Sequence, residues 1–225
     1  LHGEGHSFPT RRSSDLVPDE PLSPLAALTD RVLAVYGYEV SPAIDAIDDA
    51  VPGFGGLFDP GTTSGELTEA LEGVLDGADG PERLRERADR REVEAVLYVD
   101  GSSRGNPGPA GAGAVLLDGD EETLARLGRP VGSNTGNNTA EYAALALGVD
   151  QLLTRYEPTR LEVRIDSMTV VRDVWQGHGS GDSGFRPYRE AIVERLDRVP
   201  HHEWTHLADS DPNPADALAT VGADI

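Results

Sequence analysis

Four acidic side chains lie where a folded protein does not favour charge. Asp100 and Asp166 each follow an apolar run, so we expect both to end buried strands. Glu141 and Asp216 lie among Ala, Leu and Tyr residues in stretches that we expect to be helical. A buried carboxylate is costly unless it is paired or bound to a cation, and the chain has no Lys to pair with it. We therefore treat these four as candidate catalytic and metal-binding residues.

If the four carboxylates came together, they would repel one another unless divalent cations neutralised them. Oxygen ligands suit magnesium or manganese, and the absence of Cys argues against zinc. Each acid also has an ordinary interpretation: a turn residue at Asp100, a helix cap at Asp166, and surface acids at Glu141 and Asp216. Their recurrence at the ends of elements that one site would use favours a shared role.

The pattern after residue 92 predicts the elements that must position these acids. Apolar runs over 93–99 and 112–117 flank a dense turn sequence and predict a hairpin. Further strands are predicted over 126–131, 161–165 and 202–206, and helices over 138–156, 167–175, 187–198 and 214–220. Antiparallel strands followed by alternating helices and strands indicate an α/β domain over 92–225, with a five-stranded mixed sheet flanked by helices.

Residues 19–91 are predicted to form a small helical domain of unknown role. Its helix starts are marked by Ser23-Pro24, Ser41-Pro42, the capping pair Thr63 and Glu66, and Pro81, which opens a last helix ending near Arg91. Residues 1–16 differ in composition from the rest and look like the translation of a sequencing adaptor, so we expect this leader to be non-native.

The composition limits the classes of function. The 225 residues carry 19 cationic side chains, all of them Arg, against 40 acids, a net charge of −21. Binding to nucleic acid therefore cannot rest mainly on a basic patch. The acidity favours adaptation to molar salt, where the Debye length falls to roughly 3 Å; simple solubility is the alternative. No apolar run approaches the roughly 20 residues that span a bilayer, so we expect no membrane association. No signal peptide is visible in the first residues, which predicts a cytoplasmic protein, and we expect a monomer.

Four ordered motifs resemble those of type 1 ribonuclease H. They cover about residues 93–220 and comprise Tyr98-Val99-Asp100-Gly101-Ser102 with Gly105-Asn106-Pro107-Gly108, Asn137-Asn138-Thr139-Ala140-Glu141-Tyr142, Ile165-Asp166-Ser167, and Ala215-Asp216-Ala217-Leu218-Ala219. A single Asp-Gly-Ser would carry little weight, but four motifs in order are specific. The resemblance implies the ribonuclease H-like fold for the domain over 92–225.

The same resemblance implies the reaction and the role of each acid. It implies hydrolysis of the RNA strand of an RNA–DNA hybrid, leaving 3′-hydroxyl and 5′-phosphate ends, with two divalent ions, Mg²⁺ or Mn²⁺. Asp100 would bridge both ions, Glu141 and Asp166 would hold the ion nearer the leaving group, and Asp216 would hold the ion carrying the water. The implied substrate-binding residues are Ser103, Asn106, Asn137, Asn138 and Met168.

The chain departs from the family pattern at several points. The region over 175–184 is short and has no Lys, which resembles the forms that lack a basic protrusion. His206 precedes Asp216 by ten residues and is a possible auxiliary residue in turnover, as, more remotely, is His178. Asn213 is offset from the family's usual Asn position, and Gly136 replaces a hydroxyl residue. The helical domain could grip hybrid, recruit a partner or stabilise the catalytic domain.

Two other functions fit the same sequence less well. A non-catalytic nucleic-acid module on this fold is one, but such proteins typically lose a metal-binding acid and this chain keeps all four. Another phosphodiester-cleaving enzyme, such as a nuclease or resolvase, is the second. The Gly-Asn-Pro-Gly hairpin and the adjacent Asn137 and Asn138 disfavour it.

Overall fold

The computed structural model describes residues 21–53, 55–77, 91–177, 183–208 and 210–225. The expected leader over 1–16 lies outside these residues. So do His178 and all but the last residue of the helix expected from Pro81 to Arg91. Within the described part of the chain, no helix is both long enough and apolar enough to cross a membrane.

Five strands form one mixed sheet, as the sequence predicts. Its strands are β1 (Glu92–Ser103), β2 (Gly108–Asp118), β3 (Thr123–Thr135), β4 (Glu157–Ile165) and β5 (His202–His206). The order across the sheet is β3-β2-β1-β4-β5. The strands β1, β2 and β3 are antiparallel neighbours, whereas β4 runs parallel to β1 and β5 parallel to β4. The two parallel neighbours β1 and β4 therefore run toward the same edge of the sheet.

Helices cover the sheet on both faces. They are α4 (Asn137–Arg155), α5 (Met168–Val174), α6 (Arg186–Leu196) and α7 (Asp216–Asp224), with a short 3₁₀ turn at Ser183–Phe185. A Cβ added to Gly148 of α4 would lie 2.5 Å from Leu97, whereas one added to Gly113 would lie 2.3 Å from the Ala215 carbonyl oxygen before α7. Gly113 pairs with Asp100 of β1, so these two residues face the same side of the sheet. Leu97 lies three residues before Asp100 on β1 and therefore faces the other side. Helices α4 and α7 thus pack on opposite faces of the sheet.

The helical segment (residues 21–53 and 55–77) precedes the sheet and contains α1 (Pro24–Val35), α2 (Val40–Ala50) and α3 (Ser64–Gly77). The predicted cap at Ser23 is confirmed, since its hydroxyl accepts the Ala26 amide at 3.1 Å. The capping pair is also confirmed: the Glu66 carboxylate accepts the Thr63 amide at 2.8 Å, and the Thr63 hydroxyl accepts the Glu66 amide at 3.3 Å.

The cap predicted at Ser41-Pro42 is wrong. Helix α2 begins earlier, at Val40, and its N-cap residue Glu39 makes no side-chain capping bond. The physical reason is tertiary, because Glu39 forms a β-bridge with Leu127 of β3 and this contact sets where the helix starts.

Two clusters of apolar side chains form the core. The larger lies between the sheet and its helices and includes Tyr142 and Leu145 of α4, which the sequence predicts to face inward. The smaller lies among the first three helices and comprises Val32, Ile47, Val51, Leu67, Ala70 and Leu71. Leu33 and Ala43, from α1 and α2, belong to the larger cluster, so the helical segment shares the core of the sheet.

Candidate functional site

Three of the four predicted acids converge where β4 ends and where its pairing with β1 stops. Asp100, Glu141 and Asp166 each offer a carboxylate oxygen, and these three oxygens all lie within 4.8 Å of one another. Asp100 and Glu141 are buried, with 9% and 4% of their surface exposed, whereas Asp166 is exposed. The cluster therefore combines two shielded carboxylates with one that faces solvent.

Two details of the predicted placement are wrong. Asp100 does not end its strand, because β1 continues to Ser103 through pairing with β2. Asp166 and Asp216 are exposed rather than buried. Apolar neighbours in the sequence do not bury these two side chains, because Asp166 lies just beyond β4 and Asp216 begins the short helix α7.

Glu141 reaches the cluster because Gly101 allows α4 to approach β1. A Cβ added to Gly101 would lie 2.3 Å from the Glu141 amide nitrogen, so any larger residue would push the helix away. The Gly101 amide donates a hydrogen bond to the Glu141 carboxylate, and the Asn137 side-chain amide lies 3.4 Å from Glu141 Oε1. Glu141 Oε2 is buried and accepts no hydrogen bond from the described residues. This oxygen is free to bind a cation.

The site raises the proton affinity of its two buried acids. Burial, followed by the charges of Asp166 and Asp216, raises the pKa of Asp100 to about 7. Burial, followed by the charges of Asp100 and Asp166, raises the pKa of Glu141 to about 9, although the hydrogen bonds from Gly101 and Asn137 act in the opposite direction. Both shifts show that concentrated negative charge here is costly without a cation.

Within the described part of the chain, no basic side chain forms an ion pair with the site. Among the described residues, none of the ion pairs includes Asp100, Glu141, Asp166 or Asp216. The donors are carboxylate oxygens, one of them buried without a hydrogen bond, which are the ligands that Mg²⁺ and Mn²⁺ prefer. The residues present therefore fit a divalent cation.

Asp216 lies near the three-carboxylate cluster but is not part of it. Its charge contributes to the raised pKa of Asp100, which places it within electrostatic range of that residue. Helix α7 packs closely against β2 because Gly113 leaves room for the helix backbone. Asn213 links the start of the helix to β1, since its side-chain amide donates to the Val99 carbonyl at 3.0 Å and its Oδ1 accepts the Ala215 amide at 3.1 Å.

The predicted substrate-binding residues occupy the hairpin and the start of two helices. The N-cap residue of α4 is Gly136, which has no side chain to cap the helix. Asn106 of the β1–β2 turn supplies a cap instead, because its Oδ1 accepts the main-chain amide of Asn137 at 3.4 Å. Asn106 and Asn138 are exposed and Asn137 is half-buried. Asn106 and Asn137 thus form a chain of contacts that ends at Glu141.

The remaining two substrate-binding candidates lie farther along the same elements. Ser103 is the half-buried last residue of β1 and pairs with Ala110. Met168 is the half-buried first residue of α5, two residues beyond Asp166, and packs against the core. The structure gives neither side chain a hydrogen bond to the carboxylate cluster.

His206 lies beside the carboxylate cluster. It is the exposed last residue of β5, and its Nε2 lies 3.2 Å from the main-chain oxygen of Asp166. Because a carbonyl oxygen only accepts, this contact requires the hydrogen on Nε2. The ring is therefore held next to Asp166 through the backbone rather than through the carboxylate.

One residue that supports the site was not predicted from the sequence. Asp173 of α5 is 2% exposed, and its carboxylate accepts the Tyr142 hydroxyl at 2.7 Å. Arg189 of α6 also lies 3.4 Å from this carboxylate. Since Tyr142 follows Glu141 directly, the contact helps to fix the start of α4. The signal in the sequence is an acid that lies, next to Arg172, among the valines 170, 171 and 174 of one predicted helix.

Known proteins that resemble this chain identify its family. A family described as "Reverse transcriptase-like" matches residues 98–222. Ribonuclease HI of Halobacterium salinarum is 35% identical over 127 residues, which are 56% of this chain and 63% of that relative. The chain therefore spans less than two thirds of the length of this relative.

A second relative and a solved structure cover the matched domain more fully. Ribonuclease H of Alcanivorax borkumensis is 33% identical over 143 residues, which are 57% of this chain and 91% of that relative. The crystal structure of LC11-RNase H1 in complex with RNA/DNA hybrid is 30% identical, with a TM-score of 0.54, and the match covers 58% of this chain and 97% of that one. The family match begins at Tyr98, so α1, α2 and α3 lie outside it. This chain belongs to the ribonuclease H family.

Proposed function

We propose that this protein is a metal-dependent endoribonuclease that hydrolyses the RNA strand of RNA–DNA hybrids, leaving 3′-hydroxyl and 5′-phosphate ends. The observation that carries the proposal is the convergence of Asp100, Glu141 and Asp166 within 4.8 Å at one edge of the sheet. Membership of the ribonuclease H family supports the nuclease activity, and a relative solved with RNA/DNA hybrid supports the substrate.

Two divalent cations, Mg²⁺ or Mn²⁺, are the proposed cofactors. Asp100, Glu141 and Asp166 would hold one, and Asp100 together with Asp216 would hold the other. The raised pKa of Asp100, caused partly by both Asp166 and Asp216, supports its shared position. When bound, such a pair supplies a water of lowered pKa and a counter-charge for the departing oxygen. The buried oxygens of Asp100 and Glu141 keep the negative charge fixed in place.

Recognition of the hybrid is proposed to rest on neutral contacts. The candidates are Ser103, Asn106, Asn137, Asn138 and Met168. The contact between Asn106 and Asn137 supports a shared surface at the hairpin and the start of α4. Uncharged side chains can contact the 2′-hydroxyl groups that distinguish RNA from DNA in the shallow minor groove. Such contacts suit a chain whose net charge of −21 repels phosphate.

His206 is proposed as an auxiliary residue in proton transfer or product release. Its position beside the Asp166 backbone, exposed at the end of β5, supports this role. We also propose that the protein belongs to the type 1 forms without a basic protrusion, because only residues 175–182 separate α5 from the turn at Ser183–Phe185. A halophilic origin, a monomeric state and a cytoplasmic location complete the proposal.

Cleavage of labelled substrates tests the function. We expect hybrid to be cut in Mg²⁺ or Mn²⁺ but not in EDTA, with little cleavage of duplex DNA or duplex RNA. Asp100→Asn should lower the rate at least about 100-fold. The matched control Asp120→Asn removes an exposed acid in the turn after β2 and should leave the rate unchanged.

The same assay separates the competing functions. Tight hybrid binding without cleavage in either metal would indicate a non-catalytic module. Cleavage of duplex DNA at a rate equal to that of hybrid would indicate a different nuclease. Full activity of Asp100→Asn would contradict the assignment of that residue.

A further inference from the structure

The connection between α1 and α2 lies along the open edge of the sheet. Strand β3 is at one end of the strand order, so among the described residues one side of its backbone has no neighbouring strand. Glu39 forms an antiparallel β-bridge with Leu127, and the Gly128 amide donates to the Tyr38 carbonyl at 3.0 Å. An open edge strand can pair with another chain, and here this short connection occupies part of that edge.

A buried ion pair fixes the same contact. Arg129 of β3 lies 2.9 Å from the Asp30 carboxylate of α1, and the two side chains are only 6% and 13% exposed. The Arg129 guanidinium also lies 5.1 Å from the centre of the Tyr38 ring. A charge this deeply buried is costly without a partner, so Arg129 depends on the helical segment.

The helical segment contacts both faces of the sheet at this edge. Arg129 and Gly128 are consecutive, so they point to opposite faces. On the Gly128 face, a Cβ added to this glycine would lie 2.7 Å from Val40 of α2 and 3.1 Å from the Leu218 carbonyl oxygen of α7. The start of α2 and the helix that carries Asp216 therefore meet over Gly128.

A second link joins the segment to the end of α4. Arg155, in the last turn of α4, pairs with Glu39 at 2.6 Å and donates to the Gly37 carbonyl at 2.8 Å. The connection between α1 and α2 is thus held by α4 as well as by β3. The helical segment therefore contacts α4, which carries Glu141, and lies beside α7, which carries Asp216.

The charge of the helical segment disfavours a role in gripping nucleic acid. Arg31 is its single cationic side chain between residues 21 and 77. The acids in the same range are Asp30, Glu39, Asp45, Asp48, Asp49, Asp59, Glu66, Glu69, Glu72 and Asp76. Binding to a phosphate backbone depends on Lys and Arg, so this surface repels a hybrid.

We propose that the helical segment is an intramolecular edge cap of the catalytic sheet. It covers the open edge of β3, supplies the Asp30 carboxylate that pairs with the buried Arg129, and supports α7 through Gly128. Its binding partner is this chain's own sheet, and it contributes to folding rather than to hybrid affinity. The cap also keeps a second copy of the chain from pairing with β3.

The main measurements use full-length variants without substrate, so they do not depend on the nuclease activity; only a comparison of KM does. Asp30→Asn leaves Arg129 buried beside a neutral group, whereas Asp30→Leu combined with Arg129→Met removes both charges. The matched control Asp45→Asn removes an exposed acid of α2. Thermal unfolding gives Tm, hydrogen exchange gives the protection of the Gly128 amide, and analytical ultracentrifugation gives the oligomeric state.

We expect Asp30→Asn to lower Tm by on the order of 10 °C and to accelerate exchange at Gly128 at least tenfold, with more self-association. The double variant should recover most of the lost Tm, and the control should match the wild type. In hybrid cleavage, KM should change less than twofold. A Tm and Gly128 exchange equal to the wild type, or a rise in KM without either change, would overturn the proposal and favour a role in gripping hybrid.

A milder variant keeps the test decisive if Asp30→Asn does not fold. Glu39→Gln weakens the half-exposed pair with Arg155, so its Tm should fall by only a few degrees. It should still accelerate exchange at Gly128. Unchanged exchange in this variant would contradict the edge cap.

Discussion

Replacing Glu141 with Gln should stabilise the protein when divalent cations are absent. The Glu141 carboxylate is buried, it lies beside Asp100 and Asp166, and its Oε2 accepts no hydrogen bond from the described residues. Gln has nearly the same shape but carries no charge. The substitution therefore removes the cost of burying negative charge while it leaves the packing of α4 unchanged.

The size of this gain follows from the raised pKa of Glu141. The group has a pKa of about 9 in the folded protein and 4.5 as an ordinary side chain. At about pH 7.5 Glu141 is protonated in the folded protein but ionised in the unfolded one. This lowers the free energy of unfolding by about 1.4 kcal/mol for each pH unit above 4.5, so the substitution can raise it by at most about 4 kcal/mol. Gln places an NH2 group where the buried Oε2 of Glu141 accepts no hydrogen bond, and burying this new donor offsets part of the gain. We therefore expect a net gain of about 1–2 kcal/mol, or about 2–8 °C in Tm.

Thermal unfolding in EDTA and then in MgCl₂ measures this effect. In EDTA the variant should melt above the wild type, whereas Mg²⁺ should raise the Tm of the wild type more than that of the variant. Hybrid cleavage should be lost, because a ligand is lost. The control Glu69→Gln removes an exposed acid of α3 and should change neither Tm nor its response to Mg²⁺. An equal or lower Tm in EDTA, with an undiminished response to Mg²⁺, would refute the reasoning.

Three further predictions follow from the structure. Since the folded pKa values of Asp100 and Glu141, about 7 and about 9, exceed their unfolded values, the metal-free protein should lose stability as pH rises from about 4 to 9, and Mg²⁺ should reduce this loss in thermal scans. Gly101→Ala should cost about 1–3 kcal/mol and most of the activity, because its Cβ would meet Glu141, whereas Gly73→Ala in α3 has open space and should be neutral or stabilising in the same unfolding assay. Folding and activity should rise with molar salt; a protein most stable and most active at low salt would contradict adaptation to salt.

The arrangement of the sheet could be predicted because its signals are local. Alternating apolar runs and the turn after Ser103 mark the strands, and the sequence predicts β5 with the same bounds, 202–206, that the structure has. The proximity of Asp100 and Asp166 could be predicted because each follows an apolar run and the two runs form the parallel strands β1 and β4. Glu141 could be recognised as a site residue only from the motif in which it lies, because helical periodicity alone does not distinguish it from a surface acid.

Features that depend on packing between distant segments could not be predicted. The exposure of Asp166 and Asp216 depends on which elements cover them, and apolar neighbours in sequence do not report this. The start of α2 depends on the bridge between Glu39 and Leu127, which are far apart in the chain. The partner of the buried Arg129 is likewise distant, so its pairing with Asp30 is visible only in the structure.

The most direct test of the account is diffraction from crystals soaked in MnCl₂, recorded where manganese scatters anomalously. We expect an anomalous peak bounded by carboxylate oxygens of Asp100, Glu141 and Asp166. In crystals of Asp100→Asn the same peak should weaken or vanish. Manganese bound at other surface acids, with no peak between these three residues, would contradict the central claim that the cluster is built to hold a divalent cation.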